Sequence, residues 1–273
     1  MTANPNIEDN NNQNKKIKKV QPILERFYDI SNKYKYELSI DEAGRGCLFG
    51  RVYVACVVLP KDPDMFCGKD IKDSKKFSSK KKLNEVADYI KANALAWQVS
   101  YIDETVIDEI NILQADIQGM HICIREVIEK LKNINGCKNS LSEYIAVIDG
   151  NYFTPYRAFD IVSQTICEMP HVTIEKGDGK YMAIAAASIL AKTARDNYIL
   201  ELCQEYPELV ERYGLNTNMG YGTKTHLGGI HQHGISQWHR RSFGLCKTAK
   251  HAYLSVTNTN NNNEINVQLN QSV

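Results

Sequence analysis

Four acidic residues lie at the ends of apolar segments, where folding would hold their carboxylates close to the core. Asp41 and Glu42 directly follow a strand-like run. Asp149 ends a second such run, and Asp178 lies just before a long helical segment. Each acid taken singly could belong to a polar turn or cap a helix. Together they predict a site for hard divalent cations, because crowded carboxylates repel each other unless a cation lies between them.

An all-oxygen donor set of this kind favours Mg²⁺ or Mn²⁺ over zinc. Two such ions about 4 Å apart are the usual arrangement for in-line displacement at a phosphodiester. A basic segment, residues 69–82, holds seven lysines and two aspartates and so carries a net charge of +5, whereas the whole chain carries +1. By itself this segment could be a solvated helix face. Beside an acidic metal site it indicates a surface for nucleic acid phosphates.

Other residues could hold a ligand against these acids. The glycines that follow the first acid pair would let backbone N–H groups approach a ligand closely. Tyr221 lies between two glycines, which would expose its ring for stacking on a sugar or base, although a plain loop is also possible. On the long helix, Lys192 and Arg195 share a face with Ser188 and could line the same groove.

The elements that must position these residues alternate between strands and helices. Apolar patterns predict strands at 36–40, 51–59, 97–102, 144–149 and 171–175. Helical periodicity predicts helices at 79–95, 105–131 and 182–206, the last ended by Pro207. The first two strands are joined by a Gly-rich turn and should form a hairpin. We therefore expect an α/β fold with a mixed sheet.

Composition limits the remaining possibilities. The chain of 273 residues is 43% hydrophobic, which is enough for a sizeable core. It contains no apolar run of the ~18 residues that can cross a bilayer, no secretory signal and no CxxC pair. These features predict a reduced, cytoplasmic protein. Residues 1–30 are rich in Asn and Lys and residues 251–273 in Asn, so we expect two disordered tails around one domain at 31–250.

Several histidines lie near the end of the predicted domain. His226 and His231 would lie about 140° apart on a helix, so with His233 they do not form a cluster that shares one face, and we expect no metal role for them. The segment that begins at His239 and Arg240 is expected to anchor the C-terminal end of the domain.

The motifs, taken in order, resemble those of ribonuclease HII, the type 2 ribonuclease H family, in its bacterial form. The resemblance extends over residues 36–246. The motifs that carry it are Asp41-Glu42-Ala43-Gly44-Arg45-Gly46, Asp73-Ser74-Lys75, Asp149-Gly150, Lys176-Gly177-Asp178, Ile184-Ala185-Ala186-Ala187-Ser188, Gly220-Tyr221 and His239-Arg240.

This resemblance implies a ribonuclease H-like fold, in which helices flank a mixed β-sheet, with a helical C-terminal region. It implies an endoribonuclease that hydrolyses the RNA strand of RNA–DNA hybrids and cuts 5′ of ribonucleotides embedded in duplex DNA. The products would carry 3′-hydroxyl and 5′-phosphate ends. The expected cofactors are two Mn²⁺ or Mg²⁺ ions. The expected partners are RNA–DNA hybrids and ribonucleotide-containing DNA duplexes, with no membrane and a monomeric protein.

Matching the motifs also implies a role for each site residue. The catalytic residues and metal ligands would be Asp41, Glu42, Asp149 and Asp178. The substrate-binding residues would be Gly44, Arg45, Gly46, Ser74, Lys75 and Tyr221. Among these, residues 44–46 would read the 2′-hydroxyl through close backbone contacts, and Tyr221 would pack on the ribonucleotide sugar.

Two positions depart from the family's pattern. Arg51 replaces a usual proline and is expected to add a charge near the substrate side but to change little. Met219 replaces a lysine and is expected to remove a phosphate contact, which would weaken substrate binding and leave the chemistry unchanged. Two other functions stay open at this point. A non-catalytic hybrid-binding module would not need the full set of acids. A different two-metal nuclease, such as a junction resolvase, would not need a reader of the 2′-hydroxyl.

Overall fold

The computed structural model describes residues 23–77, 79–135 and 140–254. Most of the two predicted tails therefore lies outside the described residues. The described residues form seven strands: β1 (Tyr36–Ala43), β2 (Val52–Val58), β3 (Ala96–Ile102), β4 (Tyr144–Asp149), β5 (Arg157–Asp160), β6 (Thr165–Glu168) and β7 (His171–Ile174). They also form seven α-helices: α1 (Lys80–Asn93), α2 (Glu104–Ile110), α3 (Ile112–Asn135), α4 (Met182–Glu205), α5 (Glu208–Tyr213), α6 (Leu215–Asn218) and α7 (Lys224–His233).

Five of the strands form one mixed sheet in the order β3-β2-β1-β4-β7. The predicted hairpin is confirmed, because β1 and β2 pair antiparallel, and β3 continues this pattern on the far side of β2. On its other side β1 pairs parallel with β4, which in turn pairs parallel with β7. The predicted mixed sheet is therefore confirmed, and it brings the carboxyl ends of β1, β4 and β7 to the same edge.

Helices cover both faces of this sheet. Alternate residues of β1, such as Leu38 and Ile40, pack with Ile124 and Val127 of α3 on one face. On the other face, Ala55 and Val57 of β2 pack with α1 and with the alanines that begin α4. Small side chains there let α4 lie close to the strands, as close packing in a protein interior requires. The three central strands β1, β2 and β4 are thus buried, whereas the outer strands β3 and β7 are mostly half-buried.

The C-terminal helices α5 to α7 pack on the second half of α4 and enclose two buried histidines. His226 Nε2 and His239 Nε2 are 3.0 Å apart. His239 Nδ1 accepts from the Ser236 N–H, and His226 Nδ1 lies 3.0 Å from the Tyr221 carbonyl oxygen, which can only accept. In neutral rings this leaves the His239 Nε2–H to donate to His226 Nε2. Burial lowers the pKa of both rings, that of His239 to about 3.

Three expectations about the elements need correction. The predicted helix at 105–131 is two helices, because Asn111 has a non-helical backbone with a positive φ (66°) and caps the second helix with its side chain. The hairpin formed by β5 and β6 was not predicted. The predicted tails, 1–30 and 251–273, include residues that are hydrogen-bonded to the domain. The backbone of Glu25 hydrogen-bonds Lys180 and Met182, and the Ala252 N–H donates to the Ile235 carbonyl.

No helix in the described part of the chain is long and apolar enough to cross a membrane.

Adjacent glycines in α7 offer a test of the packing between α7 and α5. A Cβ added to Gly229 would lie 2.0 Å from the carbonyl oxygen of Arg212, whereas one added to Gly228 would meet nothing within 4 Å. We expect Gly229→Ala to lower the free energy of unfolding by about 1–3 kcal/mol through overpacking. Gly228→Ala, the matched control, should raise it by up to about 1 kcal/mol, because alanine is the better helix former. Urea denaturation of both variants measures the difference, and equal effects would contradict the close approach of α7 to α5 at Gly229.

Candidate active site

Three of the four predicted acids meet at the carboxyl edge of the sheet. Asp41 lies near the end of β1 and Asp149 ends β4, and the parallel pairing of these strands, with Ile40 opposite Ile148, makes the two aspartates neighbours. Asp178 lies in the short turn between β7 and α4. One carboxylate oxygen from each of the three aspartates lies within 4.8 Å of the others. The sequence-based expectation that these acids converge is met for the three aspartates.

Glu42 lies apart from the three aspartates because successive side chains of a strand point to opposite faces. Asp41 points to the α4 face, where Ser188 of α4 lines the same cleft. Glu42 points to the opposite face, where its Oε1 is 3.7 Å from Arg45 Nη1. Arg45 Nε is in turn 3.2 Å from the carboxylate of Asp116 on α3. Glu42 lines the same cleft as the aspartates, and its role as a metal ligand stays a prediction.

The electrostatics of the cluster favour a cation. Burial raises the pKa of Asp41 well above its ordinary value, and the nearby charges of Glu42 and Asp149 raise it further. Burial also raises the pKa of Glu42 and of Asp149. The Gly177 N–H opposes this at Asp149 by donating to Oδ1 at 2.7 Å. The cleft therefore crowds hard oxygen donors whose charges repel, a set that fits Mg²⁺ or Mn²⁺.

The turn between β1 and β2 is held beside these acids by a buried arginine. Arg195 donates from its guanidinium to the carbonyl oxygens of Arg51, Met219 and Phe49 at 3.2, 2.8 and 3.0 Å. A Cβ at Gly44 (φ 92°) would lie 2.0 Å from Arg195 Nε, so only glycine fits there. Arg195 does line the cleft. The expectation that Arg195 and Lys192 line the groove with Ser188 is met, and the guanidinium of Arg195 in addition positions the turn.

A second buried arginine holds the same turn from the other side. Arg240 Nε donates to the Gly50 carbonyl at 2.8 Å, and Arg240 Nη1 donates to the Arg45 carbonyl at 3.0 Å. The Arg240 N–H also donates to the Leu48 carbonyl at 2.9 Å. The expectation that the His239–Arg240 segment anchors the C-terminal end of the domain agrees with these contacts, and the anchor is the turn that contains residues 44–46.

The basic segment contributes two residues to the cleft, the buried Ser74 and the exposed Lys75. Asp73 caps the short turn Ser74–Lys76 by accepting from the Lys75 N–H. The Ser74 hydroxyl points inward and lies 3.1 Å from that of Ser188, so it is engaged within the protein. The side chain of Lys75 is 81% exposed, and its Nζ lies 3.9 Å from Asp178 Oδ2. Among the described lysines of this segment, Lys75 is the one that lines the cleft and forms an ion pair with an aspartate of the cluster.

Tyr221 also lines the cleft, and its side chain is 51% exposed. The Gly220 carbonyl accepts from the Leu48 N–H at 2.9 Å, which fastens the tyrosine loop to the turn at 44–50. The neighbouring Met219 is buried in the C-terminal core and is not among the described residues that line the cleft. The loss of a phosphate contact through Met219 stays a prediction.

For Arg51, the expectation of a charge near the substrate is wrong. Its guanidinium lies over the rings of Tyr101 and Tyr198, with 4.0 and 4.5 Å to their centroids. Arg51 is not among the described residues that line the cleft, so its charge is used in packing between aromatic rings.

All ten predicted site residues line a single open cleft: Asp41, Glu42, Gly44, Arg45, Gly46, Ser74, Lys75, Asp149, Asp178 and Tyr221. Ala43, Ser188, Lys192, Arg195 and Asp196 complete its walls. One further charged residue, Asp116, was missed although its carboxylate is buried against Arg45. A signal was available, because Asp116 lies four and eight positions before the buried Met120 and Ile124 on the same helical stripe.

Comparison with known proteins agrees with this arrangement. The family model described as Ribonuclease HII matches residues 38–246. The Ribonuclease HII of Parabacteroides distasonis is 42% identical over 211 residues, which cover 77% of this chain and 91% of that protein. The Ribonuclease HII of Bacteroides thetaiotaomicron is 42% identical over 216 residues, covering 78% of this chain and 92% of its own length.

Solved structures support the fold. The ribonuclease HII of Archaeoglobus fulgidus, solved in complex with PCNA, superposes with a TM-score of 0.54 at 24% identity, covering 77% of this chain and 96% of that chain. The ribonuclease H2 of Pyrococcus horikoshii gives 0.53 at 21%, covering 78% and 95%. The predicted ribonuclease H-like fold is thereby confirmed. From the family model and the relatives together, the chain belongs to the ribonuclease HII family and is a ribonuclease H, a hydrolase of RNA–DNA hybrids.

Proposed function

We propose that this protein is an endonuclease that cuts the RNA strand of RNA–DNA hybrids and also cuts 5′ of ribonucleotides embedded in duplex DNA, leaving 3′-hydroxyl and 5′-phosphate ends. The observation that carries the proposal is the placement of Asp41, Asp149 and Asp178, with oxygens within 4.8 Å of one another, in the same cleft as residues 44–46 and Tyr221. Membership of the ribonuclease HII family supports the same activity.

Asp41, Asp149 and Asp178 would hold the divalent cations, Mg²⁺ or Mn²⁺, and Glu42 would join them from the opposite face of β1. Bound in a pair, such ions activate a water molecule and neutralise the charge that develops on the phosphate. The protein's own part is to fix the ligands: the Gly177 N–H donates to Asp149, and the Glu42 N–H donates to Asp41. Fixed donors of this kind need no rearrangement during the reaction.

The side of the cleft formed by residues 44–46 and Tyr221 would recognise the ribose. DNA and RNA differ at a given nucleotide chiefly in the 2′-hydroxyl, so a nuclease selective for RNA must test that group. Gly44 and Gly46 line the cleft without side chains of their own, and the exposed ring of Tyr221 lines it as well. The backbone would hydrogen-bond the hydroxyl while the ring packs on the same sugar.

Lys75 and the lysines around it would contact the phosphates of the duplex. All ten site residues come from one chain, so we propose that the protein acts as a monomer.

The rival functions make different predictions for one experiment, in which the protein and Mg²⁺ or Mn²⁺ are incubated with DNA duplex, RNA–DNA hybrid and DNA containing one ribonucleotide. Cleavage of the last two alone supports the proposal. Binding without cleavage indicates a hybrid-binding module, and cleavage of DNA duplexes or junctions indicates a different nuclease.

Asp149→Asn tests the metal site. The amide keeps the volume and can still accept from the Gly177 N–H, but it removes a charge that a divalent cation requires. We expect cleavage to fall at least about 100-fold, because the bound ion is worth several kcal/mol in the transition state, while hybrid binding in EDTA and the Tm stay close to wild type. Cleavage within a few-fold of wild type in Mg²⁺ would contradict the proposed ligand.

Lys75→Ala tests the phosphate contact. We expect weaker binding to every duplex, with a salt dependence that is smaller by about one phosphate contact and an unchanged cut position. Binding titrations at several salt concentrations measure this. Lys82→Ala is the matched control, since Lys82 belongs to the same basic segment but pairs with Asp70 at 3.1 Å and does not line the cleft. A shifted cut site in Lys75→Ala would place the residue in the recognition machinery instead.

Tyr221→Ala tests recognition of a single ribonucleotide. We expect it to lower kcat/KM for DNA with one ribonucleotide much more than kcat/KM for a long RNA–DNA hybrid. A long hybrid offers a ribose in many registers, whereas a lone ribonucleotide offers one. Tyr221→Phe, which keeps the ring and loses the hydroxyl, should fall between wild type and Tyr221→Ala. An unchanged ratio of the two kcat/KM values in Tyr221→Ala would show that this residue does not read the junction.

A further inference from the structure

The side chain of Arg45 lies between two carboxylates. Arg45 Nε is 3.2 Å from Asp116 Oδ2, and Arg45 Nη1 is 3.7 Å from Glu42 Oε1. Glu42 belongs to β1 and lines the cleft. Asp116 belongs to α3, is 1% exposed and is not among the described residues that line the cleft. One guanidinium thus bridges a candidate metal ligand and a buried aspartate outside the cleft.

The two contacts of this guanidinium differ in strength. The contact with Asp116 is the shorter one, and it involves a carboxylate in the protein interior, where charges are poorly screened. The distance to Glu42 is beyond the range of a hydrogen bond. Arg45 is therefore held chiefly by Asp116, and Glu42 keeps its carboxylate oxygens free of a close contact with the arginine.

Asp116 in turn depends on Arg45. Neither carboxylate oxygen of Asp116 accepts a hydrogen bond from a described residue, and a buried carboxylate needs a partner to stay ionised. Burial and the charge of Glu42 raise the pKa of Asp116 to about 8, whereas the charges of Arg45 and Arg240 oppose this rise. Among the described residues, Arg45 is the cation within ion-pair distance of Asp116. The buried carboxylate and the guanidinium therefore hold each other.

This pairing decides which carboxylate the guanidinium occupies. The side chain of Arg45 is 46% exposed, and it lies three positions after Glu42. Without Asp116 it could close on Glu42 as a two-pronged pair, which is the preferred geometry between arginine and a carboxylate. Such a pair would occupy the oxygens and neutralise the charge through which a carboxylate binds a divalent cation.

We propose that Asp116 is a positioning residue that holds the Arg45 guanidinium towards α3 and so keeps the Glu42 carboxylate available to a divalent cation. The inference rests on the proposed role of Glu42 as a metal ligand. It also gives a use to a buried ion pair, which by itself often stabilises a protein no better than apolar residues of the same size. Residues that act on a metal ligand from outside typically change metal affinity by about 10–100-fold when they are removed.

The experiment measures Mn²⁺ binding without substrate, from the electron paramagnetic resonance signal of free Mn²⁺, in anaerobic buffer at a pH above 8, where Asp116 is ionised. We expect Asp116→Asn to weaken binding about 10-fold. The variant should fold, because the charge left unpaired is that of the exposed Arg45, and its Tm checks this. Adding Arg45→Ala to Asp116→Asn should restore the affinity, because it removes the competitor for Glu42. Weak binding in this double variant would overturn the proposal.

Two comparisons exclude other causes of weaker binding. If Asp116 acts through Glu42, Asp116→Asn should weaken binding no further in a Glu42→Gln background, whereas the general loss of a negative charge would add to the effect of Glu42→Gln and overturn the proposal. The matched control is Asp160→Asn, which changes another buried aspartate, one that accepts from the Ser140 hydroxyl at 2.6 Å and does not line the cleft. It should leave Mn²⁺ binding unchanged, and a loss equal to that in Asp116→Asn would contradict a specific role.

The same measurements separate this inference from the proposed function. Wild-type Mn²⁺ affinity in Asp116→Asn, with weaker binding in Glu42→Gln, would refute the role of Asp116 and leave Glu42 as a metal ligand. Wild-type affinity in Glu42→Gln, with weaker binding in Asp149→Asn, would refute Glu42 as a ligand and the inference with it, while the aspartate site would stand. Wild-type affinity in Asp149→Asn would contradict the metal site itself.

Discussion

The structure depends most on two buried guanidinium groups that hold one turn. Arg195 from α4 and Arg240 from the C-terminal segment are both buried, and their side chains donate to carbonyl oxygens of residues 45 and 49–51 and of Met219. Buried carbonyl groups need partners, and a buried charge is stable only when it is extensively hydrogen-bonded. Three distant parts of the chain are therefore locked together, and the position of the ribose-recognising side of the cleft follows from this lock.

The acidic side of the cleft is built by a different principle, the geometry of the sheet. Parallel pairing of β1 and β4 makes Asp41 and Asp149 neighbours, while strand alternation sends Glu42 to the other face, where Arg45 meets it. The sheet would place these groups even though their mutual repulsion and their burial disfavour the ionised forms. The cleft thus combines a rigid acidic edge from regular secondary structure with a recognition turn that regular structure alone would not fix.

This division explains which features the sequence could predict. Asp149 could be predicted because the ends of apolar strands meet at one edge of the sheet in an α/β fold. The other cleft residues were predicted from the motifs shared with the family. The break at Asn111 was missed because apolar spacing continues through it, and the hairpin at 157–168 was missed because its strands are short and mostly exposed. The roles of Arg195 and Asp116 depend on partners far away in sequence, namely carbonyl groups and Arg45. Local sequence patterns do not predict contacts between residues that are far apart in the sequence.

The paired histidines make the tyrosine loop sensitive to acid. His239 donates to His226, which donates to the Tyr221 carbonyl, and a protonated ring could no longer accept within this chain. In the unfolded chain both rings gain protons below about pH 6.5, whereas in the fold the pKa of His239 is about 3. Their stabilisation is therefore complete above pH 6.5 and declines as the pH falls. Asp41 and Asp149 behave oppositely, because burial and neighbouring carboxylates raise their pKa values in the fold, so acidification weakens the ribose side of the cleft while it relieves the repulsion between these two carboxylates.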